Sequence, residues 1–432
     1  MTKRRNRIIF ISISVVAFIF LIAILFICFI KKNKSYKYNG EIYEDSYDYK
    51  DDYGYLYLKE TDQTLTKLYE DLYLKMVDFS HKDIDISKSD CHYIFYKEDI
   101  NNKTLTHDDL WQVYAYINIE NPQFYWIDEV LDEDGLYCIG INSSYIKSKD
   151  RKKYNKKIKE GLKTIDNLVK DTNDEFDKLK TIYDYIVDNM SYANKDMDKV
   201  WAHNIIGFFD RNEGVCETYA KMFKLLCDRY NIGNIPVVSE DHIWNLALYE
   251  NKWYVFDLTW DEGAYLYFGK TEKIYEIDSA DMDSHEYASY LYQLPENMAT
   301  TSLSFGLIEL KDSENTIASS HSMDHIFSKF NNGKYEIVLN SIKDEGVTNF
   351  YISSINSKYD ILTISYTQNK KEKGIVNIEE DINVVKDLTI KNIYFTSIKS
   401  KKVMLNDSTL YIKNVSSSGL VVFEGGNVVP ID

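Results

Sequence analysis

The sequence predicts an α+β protein, and three observations carry that prediction. A cysteine stands where Gly214-Val215-Cys216 turns into a helical apolar stripe, and a hairpin pattern follows with His242 and Asp257 just outside its two strands. From about residue 300 onward only short alternating strands recur. The core is therefore expected to be a helix carrying Cys216 packed on an antiparallel sheet carrying His242 and Asp257, with a β-rich C-terminal module. With 432 residues the chain exceeds the size of one domain. The expected division is 1–30 flank and membrane span, 31–59 spacer, 60–147 small α+β unit, 148–298 thiol core and 299–432 β-rich unit.

Residues 8–30 are an uncharged apolar run of 23, long enough to cross a hydrocarbon core of about 30 Å as a helix. The run is too long for a cleaved signal, and Leu25-Phe26-Ile27-Cys28 offers neither a small-residue cleavage site nor a lipoprotein box. Lys3, Arg4, Arg5 and Arg7 balance Lys31, Lys32, Lys34 and Lys37, so charge alone does not orient the span. The short N-terminal flank fits a signal anchor, with the globular part expected outside the cytoplasm. A net charge of −17 argues against nucleic acid as a partner. Cys91, Cys138 and Cys227 form no CxxC pair; in an external protein Cys91 and Cys138 could pair, but the sparse usage favours reduced thiols.

Residues 31–59, rich in Tyr, Asp and Lys, lack apolar periodicity and read as an exposed spacer. Leu65, Leu68, Leu72 and Met76 then recur at helical spacing, Tyr93–Tyr96 reads as a strand, and Asp108–Ile119 as a helix. Pro122 closes that helix, and the aromatic run through Trp126 is expected to begin a strand. A lysine-rich helix follows around Ile158–Val169, its Lys147–Lys163 face expected in water. Thr172-Asn-Asp-Glu175 signals the start of another helix reaching about Asn189. The stripe from Tyr219 through Tyr230 makes the cysteine's helix, which Asn231-Ile232-Gly233 stops. In the C-terminal part Tyr335–Leu339, Asp360–Tyr366 and Ser408–Ile412 read as strands, with no internal repeat evident.

Three side chains fit one chemistry. A helix N-terminus lowers the cost of a thiolate at Cys216, and its amides can receive a developing oxyanion. If Tyr249 pairs with Lys252 across a turn at Glu250-Asn251, His242 and Asp257 share a face as diagonal neighbours, within reach for an imidazole held by a carboxylate. A slip of one residue separates them onto opposite faces. His81, Cys91, His92 and His107, with nearby aspartates, show no metal-ligand spacing, so neither metal nor cofactor is expected.

Gly214-Val-Cys-Glu-Thr-Tyr-Ala220, His242-Ile-Trp-Asn245 and Lys252-Trp-Tyr-Val-Phe-Asp-Leu-Thr-Trp-Asp261 together resemble the transglutaminase-like superfamily, the papain-like proteins of Cys-His-Asp type, over about residues 172–290. Asp281–His285 resembles a pattern that follows such cores in bacterial members, and Asn121–Trp126 a segment upstream of them in bacterial surface proteins, so a bacterial membrane-anchored member is expected. The resemblance implies acyl transfer through a thioester on Cys216, with His242 as base and Asp257 as its orienting acid. Tyr192, Trp201 and Trp244 are the candidates for oxyanion or cleft residues. It implies a protein or peptide substrate, cell-wall peptide included, and leaves hydrolysis and cross-linking both open. Because the family also contains silent copies, a binding or scaffolding role is the alternative. Thr218 and Ile243 stand where the family often carries Gly and Ala, which implies a narrower approach to the thiol.

Overall fold

The computed structural model describes residues 49–80, 85–86, 105–133, 136–172, 174–261, 265–273, 291, 293–313, 315–341, 349–353, 359–367, 372–397, 400–418 and 422–432. The expected membrane run 8–30, the Tyr93–Tyr96 strand and the Asp281–His285 motif lie outside these residues. Among the described residues no helix is long and apolar enough to cross a membrane.

The C-terminal end of the expected spacer is instead structured. A 3-10 turn at Tyr49–Asp51 leads into helix α1, Tyr53–Thr61, with Tyr55 and Leu58 buried. Tyrosine, counted as polar in a charged stretch, here acts through its ring: Tyr49 packs on Tyr55 and Tyr73 at centroid distances of 4.9 and 4.7 Å. Gly54 is required at the crossing, because a Cβ would stand 2.7 Å from the Tyr116 ring. Helix α2, Gln63–Ser80, and helix α3, His107–Glu120, complete the layer, and a Thr106–Asp109 capping box starts α3. Pro122–Phe124 forms a buried 3-10 turn where a strand was expected, and the antiparallel pair β1, Ile127–Glu133, and β2, Leu136–Ile141, begins only afterwards. Cys138 is disulfide-bonded, which corrects the expectation of reduced thiols for that residue; Cys216 and Cys227 are free.

Helix α4, Ser148–Val169, keeps Ile158, Leu162, Ile165 and Val169 inward. Helix α5, Glu175–Asn189, is capped by Asp174, whose carboxylate accepts from the Phe176 and Asp177 amides; the expected Thr172 cap instead donates its hydroxyl to Val169 O at 2.6 Å. Short parallel strands β3, Ser191–Tyr192, and β4, Glu213–Gly214, precede helix α6, Cys216–Arg229. An antiparallel sheet of β5, Asn234–Val238, β6, Ile243–Tyr249, and β7, Lys252–Phe256, covers α6. One continuous apolar core joins α1 to α6, this sheet and Phe305.

The β-rich part is a stack of coils. Strands β8, Leu307–Asp312, and β9, Asn315–Ser320, with helix α7, Met323–Ser328, form its antiparallel opening. Strand β10, Lys334–Asn340, pairs with β8 and starts one parallel face, continued by β12, Asp360–Tyr366, β15, Leu388–Lys391, β18, Thr409–Lys413, and β21, Asn427–Pro430. A second parallel face holds β11, Asn349–Ile352, β13, Gly374–Ile378, β16, Ile393–Thr396, and β19, Ser416–Ser417. The third holds β14, Ile382–Asn383, β17, Lys402–Met404, and β20, Val422–Glu424. This is a repeat that sequence reading does not find. Leu388 faces Leu410 and Val403 faces Phe423, spacings of 22 and 20 residues, but Thr363 faces Thr389 at 26. Unequal loops conceal the period while the inward aliphatics stay stacked.

The two cores meet where the sheet ends. The Phe176 ring stacks on His321 at 3.8 Å, Tyr254 on β7 bonds Ser322 at 2.6 Å, and Lys270 bonds the Tyr351 hydroxyl at 2.7 Å.

Candidate active site

The position of Cys216 is set by what precedes it. Tyr192 pairs with Gly214 across β3 and β4, and the Ala193 amide donates to Gly214 O at 3.0 Å. A Cβ at position 214 would lie 2.4 Å from Thr218 Cβ, so only glycine permits this turn. Val215 is the extended N-cap, its amide held by Ala202 O at 2.9 Å and its side chain offering no cap. Cys216 is thus the first residue of α6, where first-turn amides have no intrahelical acceptor. The Ile243 and Glu217 amides donate to its sulfur. Burial nevertheless pushes the thiol up to about 11, the two amides offsetting only part of that effect. Burial thus favours the protonated form of the thiol.

The hairpin sets a histidine and a carboxylate side by side. Glu250 and Asn251 take φ of 47° and 65°, the left-handed pair that a two-residue turn requires, and Tyr249 pairs with Lys252. The register continues to Asn245 opposite Phe256. His242 therefore lies one residue before β6 and Asp257 one residue after β7, and His242 Nε2 lies 2.6 Å from Asp257 Oδ2. The other carboxylate oxygen accepts from the Thr259 and Trp260 amides at 2.9 and 3.3 Å. With Asp257 acting only as acceptor, Nε2 carries the hydrogen and Nδ1 is the basic nitrogen. The ring sits between Trp244, 5.8 Å away at 23°, and Trp260, 5.3 Å away at 35°. The amide of Ile243, the residue after His242, reaches the Cys216 sulfur, which sets the start of β6 beside the start of α6.

The remaining expectations divide. Tyr192 stands at the site, its hydroxyl accepting from the Cys216 amide. Trp201, on the 3-10 turn Val200–His203, packs with Tyr192 against Ala193, Ala202 and Val215, and Arg211 covers its ring at 5.3 Å. Trp244 is buried in the core, so it braces the imidazole rather than lining a cleft. Thr218 is buried and donates its hydroxyl to Ala202 O at 2.6 Å. Ile243 acts at the sulfur through its backbone, which any residue there except proline can supply.

Two features go unread in the sequence. Trp260, only three residues past Asp257, forms the second side of the imidazole slot. Glu217 bonds Lys221 at 2.6 Å and His203 at 3.0 Å, a pairing foreshadowed only by the Glu–Lys spacing of four. Burial works against the Glu217 charge, yet Lys221 and His203 hold the carboxyl down at about 2. Among the described residues no group of His, Cys, Asp and Glu could hold a metal ion.

Compared with known families, residues 163–258 match the core of the transglutaminase-like superfamily. The chain carries a transglutaminase-like domain. Cys216, His242 and Asp257 all fall within the matched span. No curated protein matches the chain. Among solved structures, the chain is similar to a TGase at 16% identity and a TM-score of 0.21, over 31% of this chain and 43% of that one. A provisionally assigned cysteine protease from Cytophaga hutchinsonii matches at 18% identity and a TM-score of 0.20, over 23% of this chain and 37% of that one. The chain thus spans less than half of either.

Proposed function

We propose that the chain is a thiol enzyme that acts on peptide or side-chain amide bonds through an acyl group held on Cys216. The contact between His242 Nε2 and Asp257 Oδ2 at 2.6 Å, beside the amide that reaches the Cys216 sulfur, is the observation that carries the reading. The thiol proton passes to His242 Nδ1 as sulfur bonds the carbonyl carbon, and the carbonyl π pair moves onto oxygen. That oxygen takes the Cys216 amide, displacing the Tyr192 hydroxyl from it. As the tetrahedral intermediate collapses, the C–N bond breaks and the imidazolium returns its proton to the leaving amine. Water then attacks the thioester to give an acid, or a second amine attacks to give a new amide, and the thiol is restored.

Extracytoplasmic placement by a single span over residues 8–30 belongs to this proposal, and the Cys138 disulfide supports it, since such bonds persist in oxidising compartments. The burial that pushes Cys216 up favours one alternative, a silent binding or scaffolding protein. Iodoacetamide labelling separates them. An enzyme with His242 as base shows labelling of Cys216 that is faster than for Cys227 and that drops on His242→Ala. Equal, slow labelling of both thiols, unaffected by that substitution, leaves only the silent reading.

A further inference from the structure

The residue after Cys216 carries a charge that works against a thiolate. Beyond burial, the Glu217 carboxylate pushes the Cys216 thiol up, while the Glu217 amide donates to the same sulfur. One oxygen of that carboxylate takes Lys221 Nζ at 2.6 Å, and the other takes His203 Nδ1 at 3.0 Å. We propose that His203, as an imidazolium, is a positioning residue for Cys216, binding and neutralising Glu217 so that the thiol slows when the ring loses its proton; the proposal rests on the thiol-enzyme reading above.

The surroundings of the ring select its cationic form. His203 Nε2 lies 2.7 Å from Met197 O, so both ring nitrogens face acceptors, and only a protonated ring donates to both. The bond to Glu217 raises the ring's affinity for the proton, although burial and the Lys221 charge act the other way. The ring is half-buried, so it still exchanges protons with solvent. Other charged groups stand nearby. Lys221 Nζ is shared with Asn118 Oδ1 at 3.0 Å and His203 O at 3.4 Å, Asp128 of β1 and Asp198 line the same cavity as His203, and Lys199 pairs with Asp198 at 2.8 Å. Among these residue types only histidine ordinarily titrates near neutral pH.

The same ring ties a turn to the start of α6. His203 ends the 3-10 turn Val200–His203, and the carbonyl before it, Ala202 O, accepts from the Val215 amide at 2.9 Å and the Thr218 hydroxyl at 2.6 Å. Asn204 O, the carbonyl after it, takes that hydroxyl at 3.2 Å. Cys216 lies between these two anchored residues. Loss of the ring proton leaves a lone pair facing either Glu217 or Met197 O, so one of the two contacts breaks. In either tautomer the charge opposite Glu217 is gone.

Iodoacetamide alkylation of Cys216 in the full chain, located by mass spectrometry and followed from about pH 6 to about pH 9, tests this. The unsubstituted chain is expected to react about three- to tenfold faster than His203→Gln at the acid end, and the ratio to fall to one at the alkaline end, where both side chains are neutral. In a Glu217→Gln background, His203→Gln is expected to leave the rate unchanged. Imidazole NMR of the unsubstituted chain should place the His203 titration above the ordinary histidine value, and Glu217→Gln should bring it down. A rate ratio that is the same at every pH marks a merely structural role and overturns the proposal. So does a full His203→Gln effect in the absence of the Glu217 carboxylate, or a His203 titration at or below the ordinary value. His242→Ala separates the two readings: a thiol whose rate follows His203 but not His242 fails the thiol-enzyme reading and keeps the positioning role, whereas one that follows His242 with a flat ratio does the reverse. No measurable alkylation of Cys216 at any pH overturns both.

Discussion

The transglutaminase-like core and the C-terminal stack of coils solve the burial of polar groups in opposite ways. The core takes ionisable groups inside: His242, Asp257, Asp261, Lys221 and Lys224 are all buried, each with named partners. The stack fills its interior mainly with Ile, Leu, Val, Phe and Tyr in register, and among its described residues no Asp, Glu, Lys or Arg is fully buried. Buried ionisable groups weaken an unfolded-to-folded balance that apolar packing favours, unless every partner is present. The difference sets the polar candidate site in the first region and apolar packing in the second. The two regions touch directly, since Tyr254 and Phe176 of the core meet Ser322 and His321 of the stack.

Substitutions in the two regions should therefore separate activity from stability. Asp257→Ala removes the acceptor that fixes the His242 tautomer, and amide turnover is expected to fall by about 10⁴-fold, as when a triad loses its orienting acid. The same change leaves His242 buried without its partner and costs about 3–5 kcal/mol in chemical denaturation. Inserting one glycine between Glu250 and Asn251 shifts the register and sends His242 and Asp257 to opposite faces; turnover is expected to vanish while the β signal of the stack persists in circular dichroism. In the stack, Leu410→Ala is expected to cost about 2–5 kcal/mol in the unfolding of that part and to leave Cys216 alkylation unchanged. Equal effects of Leu410→Ala on both measurements would break the division.

The smallest expected effect concerns pH. Glu120, fully buried under α1, is pushed up to about 8 by burial and by the neighbouring Asp52, although Lys224 and the Gly54 amide pull the other way. The folded chain then holds this proton where the unfolded chain has lost it. Stability is present in full below the ordinary glutamate range and declines as pH rises toward 8. Asp52, pushed up to about 6 by burial, acts in the same sense over a lower window. Denaturation midpoints taken between pH 5 and about 8 should fall, and Glu120→Gln should flatten that slope.

The parts of the fold that are legible in the sequence follow from local rules. The turn at Glu250-Asn251 determines which residues share a face, so the His242–Asp257 pair can be read from the hairpin pattern alone. Gly214 marks the sharp entry to α6 in the same way. The hidden parts depend on distant partners. Helix α1 forms because Tyr55 packs on Tyr69 and Gly54 lies against Tyr116, with Tyr49 just before it on Tyr73, contacts that no window of sequence displays. The coils align residues 18 to 27 apart through loops of unequal length, and strand alternation gives no sign of whether neighbours run parallel. His203 joins Glu217 from 14 residues away, and nothing in its own segment announces it.

The central claim is that Cys216 forms an acyl intermediate with His242 as its base. Intact-mass analysis of the full chain, incubated with glutamine-containing and other peptide amides and quenched in acid, tests it most directly. The expected result is a mass increase equal to the acyl portion, located on Cys216, reversed by hydroxylamine and absent in both Cys216→Ala and His242→Ala. A protein that acquires no acyl mass from any of these peptides, while Cys216 alkylates no faster than it does in the unfolded chain, would contradict the claim.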